Sequence, residues 1–101
     1  NREVMDALGP EGYVINISRG MVIDEAGLAE AIAEGRVRGA GLDVFEHEPA
    51  VTPRLYELGH VALTPHIAGL TTEAQVAMQD CVLANFAAFF SGRTVPNPVP
   101  A

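Results

Sequence analysis

The chain has 101 residues, room for one domain at most, which excludes a complete two-domain enzyme within this length. Hydrophobic residues make up 49%, enough to bury a core, so the sequence is not an intrinsically disordered tail. Thirteen acids against 6 bases give a net charge of −7, which leaves no basic patch able to neutralise phosphates and excludes a nucleic-acid partner.

A single cysteine, Cys81, excludes an internal disulfide framework and a thiolate metal site, so no metal is expected. It fits a reducing compartment, and a cytoplasmic location is expected. No stretch approaches the roughly 18 continuous apolar residues of a membrane span. The longest apolar-rich run, 76–90, is interrupted by Gln79, Asp80 and Asn85. The chain opens Asn-Arg-Glu-Val, with neither an initiator methionine nor a signal-peptide pattern, as a segment from within a longer protein would.

Residues 1–8 predict a short helix, with Val4 and Leu8 on one face and Gly9-Pro10 as the stop. Tyr13-Val14-Ile15-Asn16-Ile17 is β-rich and too short for a helix, and reads as a parallel strand buried on both faces. Ser18-Arg19-Gly20 ends it. Asp24 is a good N-cap for a helix running to about Glu34, with Glu25 in its first turn complementing the dipole. Leu28, Ala31 and Ile32 form its inward stripe, and Gly35 supplies a left-handed stop.

Residues 39–45 predict a second strand, whose small residues permit close packing of a helix. Residues 45–52 form a polar loop, and Pro53 to Leu58 can make one helical turn. Val61-Ala62-Leu63 is a third short strand, closed by Thr64-Pro65. From Thr71, an N-cap, the period becomes helical: Met78, Val82, Phe86 and Phe89 share a stripe, broadened by Leu83, Ala87 and Phe90. Gly92 stops this long helix, and the proline-rich tail must be extended.

Strand, helix, strand, connection, strand, long helix is the order of an α/β fold. It predicts part of a doubly wound parallel, Rossmann-like sheet with three strands, flanking helices and a long C-terminal helix. Three strands alone leave two bare edges and one uncovered face. The final helix is likewise more apolar than its own chain can cover. Residues 1–70 therefore read as the C-terminal half of a dinucleotide-binding domain. Residues 71–101 read as a helix and tail that pack towards another domain.

In open parallel sheets, ligands bind beyond the carboxyl ends of the strands. Arg19 follows the first strand, Asp43 and then Glu48 follow the second, and His66 follows the third. Taken singly, each is more often a surface or loop residue. Parallel topology places them on one rim, which reverses that judgement. A guanidinium fork matches a carboxylate. Histidine can pass a proton to a forming alkoxide, and a neighbouring carboxylate orients the ring. Carboxylate anchor, proton donor and orienting acid are what reduction of a 2-keto acid requires, apart from the hydride. Asp43, at the end of a buried strand, is expected to accept hydrogen bonds from a ligand or backbone. His47 and His60 read as solvated, and Cys81 as packing. Gly39-Ala40-Gly41 is no phosphate-binding fingerprint, since no helix follows at the right distance.

Three ordered motifs carry a resemblance: Val14-Ile15-Asn16-Ile17-Ser18-Arg19-Gly20, Gly41-Leu42-Asp43-Val44-Phe45-Glu46-His47-Glu48-Pro49, and Thr64-Pro65-His66-Ile67-Ala68-Gly69. They resemble the C-terminal signatures of the D-isomer-specific 2-hydroxyacid dehydrogenases. The first nine residues and Phe89-Phe90-Ser91-Gly92 are similar to the glyoxylate/hydroxypyruvate reductase branch. The resemblance implies an oxidoreductase that moves a hydride between NAD or NADP and a small 2-keto or 2-hydroxy acid. It implies that Arg19 binds the substrate carboxylate and keto oxygen, and that Glu48 pairs with a catalytic His66. It also implies that Asp43 meets the nicotinamide carboxamide, with Ile17, Ser18, Arg19, His66 and Gly69 around the same cofactor.

The parent enzyme is expected to be a homodimer, and this segment to be inactive alone, because the family's Gly-x-Gly-x-x-Gly turn is absent. The alternatives are a dinucleotide-sensing, corepressor-like module and a phosphite dehydrogenase-like enzyme. A formate enzyme fits less well, since glutamine typically stands there in place of Glu48.

Overall fold

The computed structural model describes residues 2–100. They fall into two compact units, one ending at Ala68 and the other beginning at Gly69. The first begins with helix α1 (Arg2–Leu8), which ends at Gly9, a glycine at φ 80°. Strand β1 (Tyr13–Asn16) leads through a 3₁₀ turn at Gly20–Val22 into helix α2 (Glu25–Ala33). Asp24 caps α2 by accepting the Gly27 amide at 2.9 Å, and Gly35 follows its end at φ 71°. Strand β2 (Gly39–Leu42), a 3₁₀ segment at Pro53–Glu57 and strand β3 (Val61–Leu63) complete the unit.

The sheet is parallel throughout, in the order β1-β2-β3, so β2 is central. Asn16 pairs with Leu42 and Leu42 with Leu63, which brings the three strand ends level. Asp43 donates its amide to the Asn16 carbonyl at 2.9 Å, and Thr64 donates to the Leu42 carbonyl at 3.0 Å. The ladder therefore runs right up to the rim from which the loops depart. This is the α/β, Rossmann-like arrangement expected from the order of elements.

The core lies on one face of the sheet. Leu28, Ala31 and Ile32 of α2 pack with Ala40 and Leu42 of β2, Met5 of α1, Phe45 and Leu55. The predicted inward stripe of α2 is thus the buried one. The opposite face is open: Tyr13 is 53% exposed and Ile15 67%. The strand expected to be buried on both faces therefore covers only one of them here, since no helix of this unit lies over the other. Of the small residues of β2, Ala40 lies in the core with α2 as expected, while the two glycines differ from expectation. A Cβ on Gly41 would meet the Ile15 side chain, and one on Gly39 the His60 carbonyl and Tyr13 ring. These glycines make room for neighbouring strand residues on the open face rather than for a helix.

Within the second unit, helix α3 (Thr72–Phe90) is capped by Thr71, whose hydroxyl accepts the Ala74 amide at 3.1 Å. Gly92 follows at φ 67°. The tail is held to the helix by paired bonds between Asn85 and Asn97, at 3.1 and 3.2 Å. Val82, Phe86, Phe89 and Phe90 are exposed, as their surplus of apolar surface anticipated. Cys81, read from the sequence as packing, is exposed, and its thiol donates to Asn97 Oδ1 at 3.4 Å. No helix among the described residues is long and apolar enough to cross a membrane.

Candidate active site

The level strand ends deliver three loops to one rim. Arg19 lies just beyond β1, Asp43 immediately beyond β2 and His66 just beyond β3. The first loop is shaped by Asn16, the last residue of β1, only 4% exposed. Its Nδ2 donates to the Arg19 carbonyl at 2.9 Å, while its Oδ1 accepts the Ser18 amide at 3.1 Å and the Ser18 hydroxyl at 2.9 Å. One amide side chain thus replaces the ladder that β1 has just lost. Gly20 then passes so close to the backbone of Phe45 and Glu46 that no Cβ could fit. The Ser-Arg-Gly order follows: serine closes the turn on Asn16, arginine is presented outward, and glycine allows the next loop to approach.

The second and third loops meet through Glu48 and His66. Nδ1 of His66 lies 2.8 Å from Glu48 Oε2, and Glu48 Oε1 accepts the Phe45 amide at 3.0 Å. The imidazole and that amide hold the Glu48 carboxyl below the ordinary carboxylate range, against a smaller desolvation and the repulsion of Asp43. An ionised carboxylate only accepts, so the network assigns the hydrogen to Nδ1 and leaves Nε2 as the outward nitrogen. The two side chains are 49% and 35% exposed, so solvent screens the pair and it adds little to stability. Its consequence is orientation.

His66 sits at φ 55°, a left-handed conformation uncommon for a residue with a Cβ. Asp43 supports it. The buried carboxylate accepts the Thr64 hydroxyl at 2.6 Å and the Ile67 amide at 2.8 Å on Oδ1, and the Ala68 amide at 2.9 Å on Oδ2. These donors flank His66 on both sides, so Asp43 grips the whole turn. The Thr64 hydroxyl is the strongest influence holding Asp43 below its ordinary value, with burial opposing and the two amides adding to it. A cavity of about 350 Å³ opens beside the pair, between Phe45, Pro49, Tyr56 and Leu63, a size suited to a small ligand.

Of the residues singled out in the sequence, Glu48 and His66 are in direct contact, and Asp43 bonds the turn that carries His66. The Arg19 guanidinium donates to the Ser18 carbonyl at 2.6 Å. Among the described residues, no hydrogen bond or ion pair joins Arg19 to Glu48 or His66. Ile17 is 67% exposed beyond β1. Gly69 opens the second unit, and its carbonyl accepts from Gln75 Nε2 at 2.9 Å. His47 and His60 are exposed. The described residues hold no group of three metal-ligating side chains. Sequence reasoning missed Asn16 as the loop's organiser, although a polar residue within an apolar strand run was the available signal.

Residues 1–68 match the family described as D-isomer specific 2-hydroxyacid dehydrogenase, NAD binding domain. The chain is 52% identical over 99 residues to a hydroxyphenylpyruvate reductase of Plectranthus scutellarioides. It is 50% identical over 99 residues to a glyoxylate/hydroxypyruvate reductase A of Arabidopsis thaliana. Each match takes in 98% of this chain and 32% of the relative, so the chain spans about a third of the length of these curated relatives. Among solved structures, an NADPH-dependent glyoxylate/hydroxypyruvate reductase of Sinorhizobium meliloti, in complex with NADP and malonate, superposes with a TM-score of 0.80. That match has 44% identity and covers 98% of this chain and 31% of the other. The apo D-mandelate dehydrogenase of Rhodotorula graminis matches with a TM-score of 0.83 at 32% identity, over 100% of this chain and 30% of the other.

The residues present fit the nicotinamide end of NAD or NADP. Asp43 Oδ2 accepts the Ala68 amide and keeps an acceptor position for an amide donor, while Ile17 offers exposed apolar surface at the same rim. The Gly-x-Gly-x-x-Gly phosphate turn is not among these 101 residues. With the fold, the rim and the family match in agreement, the chain belongs to the D-isomer specific 2-hydroxyacid dehydrogenases, its residues 1–68 matching their NAD-binding domain.

Proposed function

We propose that this chain supplies the catalytic groups of a reductase that converts a small 2-keto acid, of the glyoxylate or hydroxypyruvate kind, to the 2-hydroxy acid. The observation that carries the reading is the 2.8 Å contact between His66 Nδ1 and Glu48 Oε2 on the sheet rim. Bound NAD(P)H supplies the hydride. Arg19, presented outward beyond β1, offers its fork to the substrate carboxylate and keto oxygen. His66, in its doubly protonated form, gives the Nε2 proton to the oxygen that becomes the hydroxyl, and Glu48 holds the ring through Nδ1. Asp43, with Ile17 and Ser18, serves the nicotinamide side.

In this reading residues 71–101 pack towards a substrate domain, the enzyme is a cytoplasmic homodimer, and these 101 residues alone do not turn over. Relatives about three times as long, and the lack of the phosphate turn among these 101 residues, support only the last of these. The test is NAD(P)H oxidation by the full-length enzyme with glyoxylate, hydroxypyruvate and hydroxyphenylpyruvate. Turnover of at least one is expected. Dinucleotide binding with no turnover of any 2-keto acid would favour a sensor and overturn the reading.

A further inference from the structure

The loop that carries Glu48 is itself held by a side chain from another element. Glu25, in the first turn of α2, is 4% exposed, although its place in the sequence suggested only a charge complementing the helix dipole. Its Oε2 accepts the Glu46 amide at 2.9 Å and its Oε1 accepts the Thr52 amide at 2.7 Å. Those amides bracket the loop, which closes internally through the Ala50 amide on the His47 carbonyl at 2.9 Å. One carboxylate thus grips both stems of a short loop whose apex is Glu48-Pro49. From there Glu48 bonds back to Phe45 and out to His66.

A buried carboxylate is costly unless its oxygens are bonded, and none of the described buried side-chain polar atoms lacks a partner. Burial alone would raise the Glu25 carboxyl. The bonds from Glu46 and Thr52, with the charge of nearby His47, outweigh it and leave the group ionised. Neither bond reaches the rim, and Glu25 touches neither His66 nor Arg19 among the described bonds. A residue whose only purpose was a helix terminus would stay in water, where the dipole is served without desolvation.

We infer that Glu25 is a positioning residue for the proposed reduction, fixing the Glu46–Thr52 loop so that Glu48 meets His66 in the orientation that turnover requires. The inference rests on the reductase reading. Glu25→Gln keeps the size of the side chain but turns one acceptor into a donor facing an amide, so one stem is released. Glu25→Asp keeps the charge but is too short to reach both stems.

The experiment compares wild type, Glu25→Gln, Glu25→Asp, Glu48→Gln and the Glu25→Gln/Glu48→Gln double variant in the full-length enzyme. It reads kcat, KM for hydroxypyruvate, dinucleotide affinity and the pH dependence of kcat. The expected result is a fall in kcat in Glu25→Gln approaching that of Glu48→Gln, with KM and dinucleotide affinity changed less than about twofold. Its pH profile moves in the same direction as that of Glu48→Gln, and the double variant is no slower than Glu48→Gln alone, as for residues acting as a unit. A loss of thermal stability with an unmoved pH profile, or losses that multiply in the double variant, would overturn it.

Should Glu25→Gln fail to fold, Glu25→Asp carries the same comparison. Should the wild type turn over no 2-keto acid, the reductase reading fails, and the positioning is then read from the ¹⁵N shifts of the His66 ring. Signals that change on Glu25→Asp as they do on Glu48→Gln support it, and signals identical to wild type refute it.

Discussion

His66 and Glu48 face each other across 2.8 Å, Nδ1 to Oε2, although they leave different strands of the sheet and are both partly in solvent. The contact decides which nitrogen of the ring is free. With Nδ1 committed to a carboxylate held below its ordinary range, Nε2 is the atom left to meet a reacting oxygen in the proposed reduction. Glu48→Gln should therefore move the pH dependence of kcat and lower its maximum, by less than the roughly 10²–10⁴-fold expected from losing the general acid altogether. Steady-state rates across the pH range check this, and an unmoved profile would show that the pairing has no part in turnover.

Arg19 and His66 should separate kinetically. His66→Ala removes the proposed proton donor and should lower kcat by about 10²–10⁴-fold with a small change in keto-acid KM. Arg19→Lys keeps the charge but loses the paired geometry, so KM should rise as kcat falls. Initial-rate measurements with hydroxypyruvate distinguish the two, and identical signatures would contradict the assigned roles.

Gly20 has no room for a side chain. A Cβ there would collide with the carbonyl of Phe45 and the nitrogen of Glu46, and backbone cannot swing aside as a side-chain tip can. Gly20→Ala should cost about 1–3 kcal/mol of stability, the usual range for overpacking. It should also reduce activity at temperatures where the variant stays folded, since the loops bearing Arg19 and Glu48 are forced apart. Thermal unfolding with activity in parallel measures both, and wild-type behaviour would mean the approach is looser than described.

Asn16→Leu preserves bulk and removes both halves of the amide's bonding. The Ser18 amide and Arg19 carbonyl would then lose their partner at the end of β1. A loss of about 1–3 kcal/mol is expected for stranding such groups. KM for the keto acid should rise, because the loop that presents Arg19 is no longer closed. Denaturant unfolding and KM are the readouts, and a fall in stability with unchanged KM would confine Asn16 to a structural role.

Acid should destabilise the fold in a defined direction. The carboxyls of Asp43 and Glu25 lie below their ordinary values of 3.8 and 4.5 in the folded state. As pH falls, the unfolded chain therefore takes up protons before the folded one does. The stability these groups lend is fully present above their ordinary values and is lost as pH drops through the lower, folded ones. The urea midpoint should hold steady from neutrality to about pH 5 and fall below that. Thr64→Val removes the strongest bond to Asp43 and should make the fall shallower. An equally steep fall in that variant would contradict the assignment.

Much of this was legible from residue order, where the interactions are local or follow from topology. Asp24 and Thr71 cap the helices they were expected to cap, through bonds to the third residue on. The placement of Arg19, Asp43 and His66 beyond neighbouring strand ends was legible because parallel strands have all their carboxyl ends on one side. Glu25 and Asn16 were not. Glu25 reaches amides 21 and 27 residues away, a partnership that no periodicity records. Asn16 looked like an interruption in an apolar strand, and only the turn beyond it reveals an amide substituting for a lost neighbour. The open face of β1 agrees with the one uncovered face expected of three strands alone, while four apolar residues in five show that a strand can be covered without saying by which residues.

His66 as the proton donor in a 2-keto acid reduction is the central proposal. The direct measurement is NAD(P)H-dependent reduction of hydroxypyruvate by the full-length enzyme and its His66→Ala variant, with dinucleotide binding followed in both. Turnover in the wild type, its near loss in the variant and retained dinucleotide binding are expected. Equal turnover in both proteins would contradict the proposal.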